Sequence, residues 1–474
     1  MLTFFLSAKE KDSALFFASG KAAAADGLYE FAEKELKNCI ASLDTAKSDD
    51  SLLGKEAVDL LFNVMAKAGK FDEIIAIIES RKNKIKFFLD DGSRFFWQAL
   101  AYYEKGLTDK AISILQDYDK KTDSVSGRVL RLKGKCFTKN SQFEKAIECF
   151  STFEKIGAGS PEEDDANLLD MGVILAQIGK KEEAKRILQR LSQRISSRRV
   201  IYEGKVLLGQ LMKEDGQNDE AVQLLTPIIE NLSVDDDIRA NATLIVASIL
   251  EKNKNYELAA KMLSAGLTMK IPDSLKKQIG MVLGQIMLQT DQYEQGILLL
   301  RQLIHENYQD TLAETAQLVL ARFFAGKSRY HEAAKEYQYY VETYTNLASL
   351  AQVYREYGST LYNMSRYAEA ATAYERSYVF SPVADEKSLS LFYSAESYFA
   401  AGQYQKAKVI YDKILGEFPL SKQTEDVKYR LGNCLAEIEG VDSAIKYFSE
   451  FLNDVRNPFV RQRIQMELAR SEEH

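Results

Sequence analysis

The sequence of 474 residues is poor in the residues that usually perform chemistry or cross-link a fold. It has three histidines, six prolines, one tryptophan and four cysteines, while hydrophobic residues still make up 46% of the chain. This composition fits neither a disordered nor a fibrous class. The cysteines are too few and too scattered for a disulfide scaffold or a paired Cys-x-x-Cys zinc site. We therefore expect four reduced, buried thiols: Cys39, Cys136, Cys149 and Cys434.

Long hydrophobic runs are also missing. No stretch approaches the roughly 18 consecutive apolar residues that a membrane-spanning helix needs. The start of the chain, MLTFFLSA over residues 1–8, is a short apolar run without the basic beginning of a secretory signal. Two interpretations of residues 1–11 stay open: an apolar lead-in that packs on the first helix, or the remnant of a truncated export signal. The first favours a cytoplasmic protein at face value, and the second favours a periplasmic one.

The charge balance argues against a nucleic-acid partner. The chain carries 62 Lys and Arg against 69 Asp and Glu, a formal net charge of -7. The two signs are interleaved along the sequence, whereas a nucleic-acid binder normally shows a basic excess. We therefore expect protein or peptide partners, and the sequence leaves the oligomeric state open.

Motifs for catalysis do not occur. The histidines, His305, His331 and His474, stand apart, and His331 opens HEAAK, which lacks the second histidine of a zinc-binding HExxH helix. Phosphate loops, dinucleotide fingerprints and GxSxG elbows are missing too. The stretch GAGSPEEDD over residues 157–165 has glycines but no lysine, and we interpret it as a linker whose acids favour the next helix N-terminus. We predict a protein that is not an enzyme and uses no cofactor or metal.

What the sequence does contain is one pattern repeated twelve times. Each copy has a turn residue, a short polar or aromatic stretch, and a small residue that opens an apolar helical run. Seven of the eleven spacings between these small residues are 37. We call them the anchors: Ala32, Ile74, Ala111, Ala146, Ala184, Ala221, Ala259, Gly296, Ala333, Ala370, Ala407 and Ala444.

Further columns support the same register. Twelve residues before the anchor, eleven of the twelve repeats have Gly or Ala, which predicts close contact between the two helices of a pair. Four residues after the anchor there is always a large apolar or aromatic residue, on the same helical face. Five of the six prolines fall 12 to 15 residues beyond an anchor, between repeats. Pro227 falls inside a predicted helix, where we expect a kink.

These features resemble the tetratricopeptide repeat family, whose unit is a helix-turn-helix with small residues at the hairpin contact. The resemblance covers essentially the whole chain and implies an all-α fold, a right-handed α-solenoid of about twelve helix hairpins over residues 12–457. Residues 458–474 would form a cap helix or a truncated thirteenth repeat. The eleventh repeat matches the family pattern best, at Leu391, Ala395, Tyr398, Gly402, Tyr404, Ala407, Tyr411 and Pro419.

In this family the first helices of the repeats line a concave groove, so the resemblance implies that residues 15, 11, 8 and 7 before each anchor face it. In the fourth repeat these columns give a basic patch of Arg131, Lys135 and Lys139, with Arg128 one turn earlier. We expect this patch to bind an acidic segment. The alternative is a solvated helix face whose cations have acidic partners nearby.

Later repeats place aromatic and arginine residues in or beside the same columns. Aromatics next to arginine are typical of binding hot spots. We weight Tyr362, Phe392 and Phe399 most, because no core column accounts for them, and burial against a neighbouring repeat is the alternative. The full set of candidates is Arg322, Arg355, Tyr362, Phe392, Phe399, Tyr429 and Asn433.

A long array without a reactive constellation favours a scaffold or adaptor that binds protein or peptide partners in the groove. Two other classes stay open. One is a bacterial-type envelope assembly factor, which an export signal at residues 1–11 would support. The other is the regulatory region of a larger enzyme or secretion complex.

Overall fold

The computed structural model describes residues 8–44, 48–80, 84–121, 126–157, 159–306 and 310–472. Within these ranges the chain forms 25 α-helices, one short 3-10 helix and no strand, so the expected all-α repeat fold is confirmed. The contacts separate two compact units, residues 1–245 and 246–474, with the boundary inside helix α13. None of the described helices is both long and apolar enough to cross a membrane.

The helices follow one another as pairs along the chain. Up to the unit boundary they are α1 (Ala8–Ala25), α2 (Tyr29–Ser42), α3 (Ser48–Lys67), α4 (Phe71–Glu79), α5 (Asp91–Glu104), α6 (Thr108–Lys121), α7 (Gly127–Lys139), α8 (Phe143–Ile156), α9 (Pro161–Gln177), α10 (Lys181–Ser192), α11 (Arg198–Glu214), α12 (Asn218–Glu230) and α13 (Asp236–Lys252).

The second unit continues the same order. Its helices are α14 (Tyr256–Leu267), α15 (Asp273–Met287), α16 (Tyr293–Glu306), α17 (Thr311–Gly326), α18 (Tyr330–Thr343), α19 (Leu347–Asn363), α20 (Tyr367–Phe380), α21 (Ala384–Ala400), α22 (Tyr404–Glu417), α23 (Thr424–Glu439), α24 (Val441–Phe451) and α25 (Pro458–Glu472).

Twelve pairs and one additional helix, α25, therefore account for the described helices. Every anchor lies in the second helix of its pair and is buried, so the predicted register is confirmed. Helix α25 packs on the last pair through Val460 and Ile464, both buried with Phe448 in one cluster. The boundaries at residues 12 and 458 stay predictions, and residues 1–7 lie outside the described part.

Close packing within each pair depends on the small column. A Cβ atom on Gly134 would lie 2.7 Å from the Phe150 ring, and one on Gly172 would lie 2.6 Å from Leu188. In both cases the neighbour is the large residue four positions after the anchor. The small residue thus leaves room chiefly for that side chain. This identifies the residue that makes the close contact predicted between the two helices of a pair.

The turn inside each pair also follows the repeat. Ten of the twelve repeats place a residue with positive φ five positions before the anchor. This is the left-handed conformation in which helices often end, and glycine adopts it at the lowest cost. The residues are Gly27, Gly69, Gly106, Ser141, Gly179, Gly216, Lys254, Ser328, Ser365 and Gly402.

Connections between pairs behave as the prolines and acids predict. Pro161 is the first residue of α9, and Ser160 caps that helix in a reciprocal hydrogen-bonded box with Glu163. The acids Glu162, Glu163 and Asp164 thus lie in the first turn of α9, as expected, while the connection is shorter than expected because residues 161–165 are already helical. Helix α12 runs through Pro227 without interruption, and the expected bend there stays a prediction.

The four cysteines are free and buried, as expected. Burial raises the pKa of the Cys136 and Cys434 thiols to about 12, and that of Cys39 and Cys149 to about 11. Desolvation is the largest cause at each position, because a thiolate loses its hydration inside the helix pair. All four side chains are therefore neutral core residues at physiological pH.

Candidate functional site

The four basic candidates of the fourth repeat share one face of α7. Arg128, Arg131, Lys135 and Lys139 are spaced three or four residues apart, which aligns their side chains along a helix. The opposite face of α7 is buried through Val129, Cys136 and other apolar residues. Amphipathicity thus fixes which way the basic stripe points.

Arg128 is already paired within the protein. Its Nη1 donates to Oδ2 of Asp59 on α3 at 2.9 Å, and its guanidinium lies 4.4 Å from the ring centre of Phe96 on α5. The Nε1 of Trp97 donates to the other oxygen of Asp59 at 2.7 Å. The contacts link the first helices of three successive repeats. Arg128 is therefore a structural bridge across α5 as well as a candidate for binding.

Arg131 is likewise paired. Its Nη2 lies 2.9 Å from Oδ2 of Asp170 on α9, and the Arg131 side chain is only 15% exposed. Asp170 keeps 32% of its side chain exposed, so the pair is half-buried. Both arginines therefore have the nearby acidic partners of the alternative interpretation, because the first helices α3 and α9 supply their carboxylates.

The two lysines differ from the arginines. No carboxylate of the described residues forms an ion pair with Lys135 or Lys139. Lys135 is half-buried, whereas Lys139 is exposed and its Nζ lies 4.6 Å above the ring centre of Tyr103. Burial raises the pKa of Tyr103, so this ring is a neutral partner for the ammonium group.

Two adjoining cavities lie beside this stripe. The first, of about 150 Å³, is lined by Phe96, Leu100, Tyr103, Glu104, Arg128, Arg131, Leu132, Lys135 and Glu163. The second, of about 450 Å³, is lined by Asn63, Ala66, Lys67, Phe71, Phe96, Trp97, Leu100, Glu104 and Arg128. Because both share Phe96, Leu100, Glu104 and Arg128, we treat them as one feature and call it the unit-1 groove.

The basic side of this groove was predicted from the sequence, but its aromatic floor was not. Phe96, Leu100 and Tyr103 stand 15, 11 and 8 residues before Ala111, in the columns that predicted the fourth repeat. The signal was present: the same offsets applied to the third repeat give an apolar face. The same columns supply Leu169, Val173, Val206 and Leu244 to a separate cavity of about 530 Å³ on α9, α11 and α13. Leu207 also lines that cavity.

The arginine candidates of the second unit are paired with neighbouring first helices. Arg322 on α17 holds Glu356 on α19 through two hydrogen bonds of 2.9 and 3.0 Å. This pairing raises the pKa of Arg322 further above neutral pH. Arg355 is half-buried with Nη2 4.0 Å from Oε1 of Glu386 on α21.

The aromatic candidates mostly pack within the protein. Tyr362 keeps 39% of its surface exposed, but its ring lies edge-on to Tyr367 with centroids 5.0 Å apart. Phe399 is half-buried and makes the same contact with Tyr404, also at 5.0 Å. Both pairs close the turn of their own repeat. Phe392 is half-buried against the core of its unit.

Tyr429 and Asn433 lie near the last pair of helices. The expectation that Tyr429 is exposed is wrong: it keeps 8% of its surface, because its ring stacks on Phe448 with centroids 5.8 Å apart. Asn433 is half-buried and lines a cavity of about 450 Å³ together with Phe448 and Leu468. The core aromatics Tyr374 and Tyr411 are buried, as their columns predict.

Comparison with known proteins agrees with the architecture. A family model described as tetratricopeptide repeat matches residues 95–121, 166–194 and 389–421, which fall on the third, fifth and eleventh pairs. No curated protein sequence matches.

Two solved structures are similar at low identity. A tetratricopeptide repeat protein from Parabacteroides merdae is 14% identical over 57% of this chain and 98% of its own, with a TM-score of 0.38. The APC/C hetero-tetramer Cut9-Hcn1 is 11% identical over 98% of this chain and 96% of its own, with a TM-score of 0.32. Three of the twelve helix pairs therefore match the tetratricopeptide repeat by sequence, and the remaining described pairs repeat the same helix-turn-helix arrangement.

Proposed function

We propose that the chain is a non-enzymatic scaffold that binds other proteins through the first helices of its repeats. The observation that carries this proposal is the unit-1 groove. Residues at fixed offsets from three successive anchors line two adjoining cavities there. Such a surface offers apolar floor and charged rim together, which is the composition of binding hot spots and their surroundings.

The groove is suited to an extended segment more than to a small molecule. Its two cavities adjoin at Arg128 and are bordered by α3, α5 and α7, so a ligand that fills both must cross several helices. Tetratricopeptide arrays have repeat-by-repeat surfaces of this kind. A segment of a partner protein satisfies that geometry.

The experiment uses the intact chain and a displayed library of random 12-residue peptides. Leu100→Glu places a carboxylate on the floor shared by both cavities and should weaken binding of selected peptides at least tenfold, since an apolar side chain of the peptide would then be buried against a charged group. Phe31→Glu is the matched control, because Phe31 is 49% exposed on the second helix α2. Far-UV circular dichroism confirms that both variants fold.

If the selected peptides bind Leu100→Glu as tightly as the unchanged protein, the groove is not the binding surface. The affinity of the same peptides for Tyr362→Ala tests the candidates of the second unit. A loss of affinity confined to that variant would move the binding surface to Tyr362, Phe392 and Phe399, with Arg322 and Arg355 at its edge.

A further inference from the structure

We propose that the unit-1 groove takes an extended acidic segment that carries one apolar anchor side chain. The anchor enters the smaller cavity, and two carboxylates that follow it on the same face of the segment pair with Lys135 and Lys139. This inference rests on the proposed function and adds to it the chemistry of the partner.

An incoming carboxylate can pair most readily with cations that have no partner in the protein. Arg128 and Arg131 hold Asp59 and Asp170, each at 2.9 Å, and an incoming carboxylate would have to displace those partners. The lysines of the groove have no such partners among the described residues. They are Lys67 on α3 and Lys135 on α7, and Lys139 lies one helical turn beyond the lining.

The groove also differs in sign from the rest of the chain. The cavity linings contain the cations Lys67, Arg128, Arg131 and Lys135 and the carboxylates Glu104 and Glu163. Including Asp59 and Asp170, which pair with the arginines, and Lys139, one helical turn beyond the lining, leaves one net positive charge. The chain as a whole carries a formal net charge of -7. A positive surface on an acidic protein attracts acidic segments and repels basic ones.

The volume of the smaller cavity suits a single apolar side chain. The smaller cavity has about 150 Å³ between Leu100, Tyr103 and Leu132. In another protein, a cavity of roughly that volume holds one benzene ring. One leucine or phenylalanine side chain therefore fits in the smaller cavity.

The spacing of Lys135 and Lys139 matches the spacing of side chains in an extended peptide. Lys135 lines the smaller cavity itself, and Lys139 follows one helical turn later, about 6 Å along the axis at 1.5 Å per residue. In an extended peptide, side chains on the same face are about 6.6 Å apart. Two acidic residues at alternate positions can therefore reach both lysines while an apolar residue two positions before them, on the same face, occupies the cavity.

The test uses three displayed libraries of 12-residue peptides against the intact chain. The first mixes Asp, Glu, Ser and Gly around one central Leu or Phe. The second has the same acidic mixture without any apolar residue, and the third replaces Asp and Glu by Lys and Arg around the same central residue. We expect enrichment of binders at least tenfold greater in the first library than in either other one.

A charge-reversal variant identifies the lysines. Lys135→Glu combined with Lys139→Glu should reduce the affinity of peptides from the first library at least tenfold, and raising the salt from 0.05 to 0.2 M should weaken their binding to the unchanged protein. Lys34→Glu is the control, because Lys34 is exposed on the second helix α2. That variant should bind within twofold of the unchanged protein.

The outcomes separate this inference from the proposed function. Equal enrichment from the basic library, or full binding by the Lys135 and Lys139 variant, would overturn the acidic partner. Equal enrichment from the library without apolar residues would overturn the anchor. In each of those cases sensitivity to Leu100→Glu would still support the groove. If no library gives binders that Leu100→Glu abolishes, the proposed function fails as well.

Discussion

At the scale of single residues, the distance between the two helices of a pair is set by the small column. Glycine leaves space that the large residue four positions after the anchor fills, as Phe150 does over Gly134. Cores packed at this density do not accept an extra methyl group without displacement. The cost of adding one depends on what that methyl group would meet.

Gly134→Ala should therefore destabilise the protein by about 1–3 kcal/mol, because the new Cβ would lie 2.7 Å from the Phe150 ring. Gly280→Ala is the matched change in α15, where the nearest atom, on Leu303, would be 3.6 Å away. That variant should be up to about 1 kcal/mol more stable, since alanine is the better helix former. Chemical denaturation of both measures the difference, and equal effects would contradict this account of the packing.

The buried thiols predict a pH dependence. In the unfolded chain a thiol ionises near pH 8.5, whereas Cys136 keeps its proton in the folded state up to a pKa of about 12. The native protein therefore binds more protons than the unfolded chain above about pH 9, and the free energy of unfolding falls as the pH rises through that range.

Denaturation at pH 8 and pH 10.5 checks this. The fall in unfolding free energy should be smaller in a variant with Cys136→Ala and Cys149→Ala, because two of the responsible groups are gone. In the native protein at pH 8, Ellman's reagent should react with none of the four thiols on the timescale of minutes, and with all four in guanidinium chloride. Rapid reaction of native thiols would show that they are not buried.

At the scale of the element, each helix pair depends on its left-handed turn residue. Six of the ten repeats with such a residue use glycine there, but Lys254 has φ 60° and Ser328 has φ 56°. A residue with a side chain in this conformation costs roughly 1–2 kcal/mol relative to the usual helical region. The non-glycine turns are thus the weakest-fitting positions of the repeat.

Lys254→Gly should then stabilise the protein by about 1 kcal/mol, because the penalty disappears and part of it is offset by glycine's greater freedom in the unfolded chain. Gly216→Ala, at the same position of the preceding pair, should destabilise it by about the same amount. Thermal and denaturant unfolding measure both. Opposite signs are the expected result, and a destabilising Lys254→Gly would show that the lysine side chain makes a favourable contact of its own.

The sequence was sufficient for the register but not for the electrostatics. Anchors, small residues and turns recur because the same contact must form in every pair, so their columns can be read directly. Arg128 and Asp59 are 69 residues apart and meet because their side chains span α5. No spacing rule predicts such a bridge. Tyr429 was misjudged for a related reason, since Phe448 and α25 cover it.

At the scale of the whole molecule, the repeats provide surface, and the groove in residues 59–163 combines apolar floor with unpaired lysines. An acidic chain with a positive groove should select partners by charge as well as by shape. The central claim is that partners are held on the first helices of the repeats and not on the second helices.

Site-specific photo-crosslinking tests that claim most directly. A photoreactive phenylalanine analogue replaces Tyr103 in the groove in one protein, and Phe31 on α2 in another, each mixed with the tightest-binding peptide from library selection. Irradiation should crosslink the peptide at position 103 and leave position 31 unreacted. Crosslinking at position 31 with none at position 103 would contradict the claim, because the peptide would then lie on the second helices.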